Sequence, residues 1–88
     1  MEMETIRVSG KMEANKVGGL IAGYIRDGVE TEAQAIGAAA VNQAVKGIII
    51  ARGLLAQVGK TLTCVPSFTE VDVEGLTKTG IKFKLIAE

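Results

Sequence analysis

The stretch Glu32–Leu55, EAQAIGAAAVNQAVKGIIIARGLL, decides the fold. It opens with alternation, Ala33 and Ala35 against Gln34 and Ile36, which predicts a strand over Glu32–Gly37. From Ala38 the period changes. Val41, Ala44, Ile48, Ala51 and Leu55 fall on one stripe at about 100° per residue, which predicts a helix from Ala38 to about Gln57, stopped by Gly59. Two features of this helix call for explanation. Its first turn carries neither an acid nor a side-chain cap, and Ile50 stands on a face otherwise made of Asn42, Gln43, Lys46 and Gln57.

The same reading extends in both directions. Ile6 and Val8 alternate with Arg7, giving a strand over Thr5–Ser9. A loop, GKMEA, leads to Asn15, whose side-chain oxygen is suited to cap a helix. Val17, Leu20, Ile21, Tyr24 and Ile25 recur at helical spacing before Gly28. Gly18, Gly19 and Gly23 lie inside this helix and imply close packing on a sheet; they match no phosphate-loop pattern. Thr61–Val73 is extended. Leu62, Cys64 and Phe68 have one parity and Val71 and Val73 the other, so a bulge or kink is expected between Pro66 and Glu70. EGLTKTG, Glu74–Gly80, reads as a turn, and Ile81, Phe83 and Leu85 alternate with Lys82 and Lys84 in a last strand. The order is βαβαββ, a single domain over residues 1–88. Right-handed crossovers place both helices on one face of a four-stranded mixed sheet, an α+β two-layer sandwich.

Composition narrows the function classes. Lysine plus arginine, 10, equals aspartate plus glutamate, 10, so any nucleic-acid surface must come from local segregation of charge. Histidine is absent and Cys64 is the only cysteine. That removes the commonest general base, and it precludes an internal disulfide or a cysteine-based zinc site. Cys64 is expected to be a buried small hydrophobe, as free cysteines commonly are. No catalytic constellation, metal site, cofactor or small-molecule substrate is indicated. The N-terminus lacks a basic start and an apolar core, and Val17–Ile25 is about half the length of a membrane span, so a cytoplasmic location is expected.

With the first two strands parallel, both helix starts fall at one edge of the sheet. SGKMEANK then lies beside GAAAVNQAVK. Lys11, Lys16 and Lys46 are candidate phosphate contacts; Asn15, Asn42 and Gln43 are candidate donors to phosphates or bases. The uncapped start of the second helix has two readings. It seats an anion on unpaired N–H groups, or water and a loop satisfy those groups with Gly37 as an acceptable cap. Glu70, Asp72 and Glu74 lie toward the same edge and either confine binding to a narrow lane or mark a partner-protein site. Ile49, Ile50 and Leu54 fall outside the core stripe, and such a patch implies a homodimer or a larger assembly through this helix.

IRVSGKMEANKVGGLIAGYIRDG, EAQAIGAAAVNQAVKGIIIARGLL and LTCVPSFTEV together resemble the bacterial stage V sporulation protein S family over nearly the whole chain. That family looks like a small relative of the Alba chromatin proteins and of the C-terminal domain of translation initiation factor 3. The resemblance implies strand order 1-2-4-3 with strand 4 antiparallel to the rest, dimers or higher assemblies, and regulation of sporulation and cell division. It also implies DNA or RNA binding through Lys11 and Lys16 in the first loop and around Gly37. Ile36 and Ala38 depart from the polar or basic residues of Alba proteins, and the hairpin Asp72–Ile81 reads as short and partly acidic where those proteins carry long basic arms. The alternative expectation is a protein-interaction or assembly module without direct nucleic-acid binding.

Overall fold

The computed structural model describes residues 2–88. The elements are β1 (Met3–Val8), α1 (Ala14–Arg26), β2 (Glu30–Ala35), α2 (Ala38–Ala56), β3 (Leu62–Val73) and β4 (Leu76–Ala87). One sheet runs β1-β2-β4-β3, with β1 and β2 parallel and β4 antiparallel to both β2 and β3. This is the expected βαβαββ two-layer arrangement. Alternation sorts the sheet into faces: Ile6, Val8, Ala33, Ala35, Phe83, Leu85 and Leu62 are buried with Val17, Ile21, Ala44, Ala51 and Leu55 of the helices. Arg7, Lys84 and Thr63 are exposed on the opposite, uncovered face.

The helix ends follow from local chemistry. Gly28 and Gly59 adopt φ of 79° and 77°. Val29 N–H donates to the Tyr24 carbonyl and Lys60 N–H to the Leu55 carbonyl, which closes each helix with a Schellman turn. At the start of α1 the boundary residue is Glu13, not Asn15, and it makes no side-chain cap bond; Asn15 sits in the first turn.

The glycines of α1 divide differently from the expectation. Gly18 packs on α2 rather than on the sheet: a Cβ there would stand 2.6 Å from Ile50 Cγ2 and 3.0 Å from the Gly47 carbonyl oxygen. Gly47 in turn lies against Val17. Around Gly19 and Gly23 there is open space, so close packing does not account for them. Ile50 therefore has an intramolecular partner. Its side chain covers Gly18, and the buried stripe of α2 includes Gly47 on the side facing α1.

The hairpin is the main departure. Pairing runs without interruption from Leu62↔Ala87 to Val73↔Leu76, and only Glu74 and Gly75 turn. Both have positive φ, 51° and 80°, the geometry of a type I′ connection. No bulge interrupts Pro66–Glu70. Thr61 and Glu88 exchange both backbone hydrogen bonds, at 2.9 and 3.0 Å, and antiparallel pairs alternate from there. Pro66↔Phe83 is thus a non-hydrogen-bonded pair, and the donor that proline lacks would have pointed away from β4. The apparent parity switch has another cause. β2 pairs with β4 only over Ile81–Lys84, so the hairpin overshoots the sheet as a two-stranded arm. There Val71 and Val73 turn toward the uncovered face, while Phe68, paired with Ile81 in the last four-stranded row, keeps the helix-side parity beside the start of α2. The hairpin is thus long, although its tip remains partly acidic. Cys64 shares the Leu62 parity near this edge strand and is half-buried rather than fully buried.

Candidate nucleic-acid interface

The topology brings the β1–α1 loop and the start of α2 together. Gly10 lies so close to α2 that a Cβ would stand 2.8 Å from Ala39 Cβ. The loop is folded back on itself, with Met12 N–H donating to the Ser9 carbonyl at 3.2 Å and Ser9 N–H to Met12 Sδ at 3.5 Å. Gln43 Nε2 donates to the Met12 carbonyl at 2.7 Å. This ties the loop to α2 and gives one N–H of the Gln43 amide a structural partner; the ligand-donor role expected from sequence rests on the other.

Gly37 precedes α2 with φ 90° and ψ 158°, a backbone conformation that favours glycine. Its carbonyl accepts from Val41 N–H at 3.0 Å, and no side chain caps the first turn. No acid stands in the first turn of either helix. Gly37, Ala38 and Ala39 are exposed, as are Lys11, Asn15, Lys16, Asn42 and Lys46. Lys11, Lys16 and Asn15 come from the loop and first turn of α1, and Asn42 and Lys46 from consecutive turns of α2. Lys11 follows Gly10, which packs on Ala39 in the first turn of α2, where the helix dipole favours anions, while Lys46 lies about 12 Å along the helix from Ala38.

The acidic residues belong to the arm. Glu70 and Asp72 have helix-side parity, Asp72 Oδ1 accepts from the Thr77 hydroxyl at 3.0 Å, and Glu74 is in the turn. The residue that sequence reasoning missed is Phe68, which is 82% exposed. It borders a groove of about 330 Å³ shared with Gly37, Ala38, Val41, Thr79, Gly80 and Ile81. Its exposure follows from its place on the outer strand β3, level with Ala35, beside the small residues that begin α2.

The proposed assembly patch is divided by the fold. Ile50 covers Gly18, and Leu54 is partly buried against the core. Ile49 is 63% exposed, with Val45, 40% exposed, one turn before it. Among the described residues no group of three or more His, Cys, Asp and Glu could hold a metal ion.

The model of the stage V sporulation protein S family matches residues 4–88, which takes in the loop, both helix starts and the whole hairpin. The chain therefore belongs to the stage V sporulation protein S family, and its role is sporulation-related.

Proposed function

We propose that this chain is a non-enzymatic, cytoplasmic, dimeric regulator that binds DNA or RNA along the edge formed by the β1–α1 loop and the start of α2. The observation that carries this reading is the uncapped, acid-free first turn of α2, held against a loop that bears exposed Lys11. Lys11, Lys16 and Lys46 neutralise phosphates, while Asn15 and Asn42 donate to phosphate or base edges. Gln43 positions the loop. Self-association through the exposed part of α2, Ile49 with Val45, sets two such edges side by side.

The test is a salt-dependent titration with duplex DNA, single-stranded DNA and RNA. Three lysines on each of two chains neutralise up to about six phosphates, giving a log–log slope of about −5 on duplex DNA. Lys11→Ala and Lys16→Ala should each flatten the slope by about one unit and weaken all sequences alike. The exposed apolar Phe68, Ile49 and Val45 favour a second reading, an assembly module without direct nucleic-acid binding. Absence of binding to every nucleic acid at low salt would establish that reading in place of the first.

A further inference from the structure

We infer that Phe68 is a stacking platform for an unpaired base, so that the preferred ligand of this edge is single-stranded nucleic acid. This rests on the nucleic-acid reading and specifies its substrate class. An aromatic ring stacks on any base face, and this contact is open only where bases are unpaired.

The argument begins with exposure. Phe68 has the same parity as Leu62 and Cys64, which point at the helices, yet it is the most exposed of the large hydrophobic residues among those described. It stands on the outer strand in the last row of the four-stranded sheet, across Ile81 from Ala35, where the start of α2 leaves its ring uncovered. Its neighbours across the groove are small: Gly37 and Ala38 form one wall, while Thr79 and Gly80 of β4 form part of the other. A side chain at Gly80 would meet the Ala35 carbonyl oxygen at 2.9 Å, so the root of the arm lies tight on β2 and the groove has a firm floor. At about 330 Å³ the space admits a flat ring beside Phe68, and Thr79 among its lining residues carries a hydroxyl of the kind that bonds a base edge.

Charge favours a base over an apolar peptide as the occupant. No residue lining the groove is acidic, and the loop carrying Lys11 packs on the next residue of α2, Ala39. The groove and the lysine-bearing loop thus meet at adjacent residues of α2, Ala38 and Ala39, which gives a strand with a base on Phe68 a path to the lysines. Glu70 and Asp72 continue along the helix side of the arm beyond Phe68, which directs the strand toward the loop rather than along the arm. A second copy is the competing occupant. The exposed pair Ile49 and Val45 lies further along α2, about 12 Å from Val41 at the helical rise to Ile49, so self-association there leaves Phe68 free.

The experiment titrates labelled oligo-dT, oligo-rU and a mixed-sequence duplex with the native chain and with Phe68→Ala, Phe68→Leu and Phe68→Trp, while sedimentation follows assembly. Phe68→Ala and Phe68→Leu should both weaken oligo-dT and oligo-rU by about 5- to 150-fold, the range for loss of one stacked base, and leave duplex binding unchanged. Phe68→Trp should retain single-strand affinity, and its fluorescence should be quenched on binding; the chain has no other tryptophan. Single-strand affinity that is indifferent to Phe68→Ala, or retained by Phe68→Leu, overturns the stacking role, as does a fall in assembled mass with Phe68→Ala. If duplex binding persists in those cases, this inference alone fails. If the native chain binds none of the three, the nucleic-acid reading fails with it.

Discussion

Gly47→Ala tests the seam between the helices. A Cβ at Gly47 would stand 2.4 Å from Val17 Cγ1 and 2.6 Å from Val17 Cβ. Val17 is fully buried, and because it branches at Cβ no rotamer change withdraws the clashing carbon. The helices must therefore move apart. Overpacking costs about 1–3 kcal/mol, and the overlap with the immovable Val17 Cβ places the clash at the upper end of that range. Alanine returns up to about 1 kcal/mol in helix propensity, which leaves a net loss of about 2 kcal/mol. For a domain of this size that is a fall in Tm of about 8–16 °C. Gly19→Ala on α1 is the internal control, since nothing lies within 4 Å of its would-be Cβ. It should gain about 0.4–1 kcal/mol. Thermal and urea unfolding followed by circular dichroism, at one protein concentration, measures both. If Gly47→Ala is as stable as the parent, the Gly18–Gly47 contact is not the close approach described.

Two further substitutions separate binding and assembly from folding. Ala38→Glu places a carboxylate in the uncapped first turn of α2; it should stabilise the free chain by about 0.3–1 kcal/mol in thermal unfolding and weaken nucleic-acid binding in the same preparation. Ile49→Glu should yield monomers with a normal urea transition once dissociated, whereas Ile50→Glu should lower unfolding stability itself, because Ile50 covers Gly18; sedimentation paired with urea unfolding checks both.

Local periodicity made most of the layers legible. Ile6 and Val8 in β1, and Ala44, Ala51 and Leu55 in α2, lie in the core as their spacing requires. What was not legible depends on neighbours distant in sequence. The helical wheel places Ile50 off the sheet-facing stripe, but only the arrival of α1 shows that Gly18 is beneath it. EGLTKTG has the composition of a turn, yet Leu76–Gly80 pairs with Thr69–Val73 because two-residue turn geometry at Glu74 and Gly75 lets the ladder begin at once. Pro66 suggests a kink until the hydrogen-bond phase of the hairpin is known. At the site, sequence collected Lys11, Lys16 and Asn42 at one edge because parallel strands oblige it. It missed the Gln43 tether to Met12 and the exposure of Phe68, which depend on loop path and on how α2 starts relative to the outer strand.

The phase of Pro66 also bears on how copies of this chain can accumulate. β3 is an outer strand of twelve residues, long enough to template another chain. Its outward amides come from the non-hydrogen-bonded positions Leu62, Cys64, Phe68, Glu70 and Asp72, and the row has a gap in its interior where Pro66 contributes no donor. A strand laid alongside would lose a bond at that point and meet the pyrrolidine ring. Open-ended, fibril-like growth is thereby interrupted without a covering helix. The other edge strand, β1, is only six residues long, so neither edge offers a long unbroken row of donors to a second sheet.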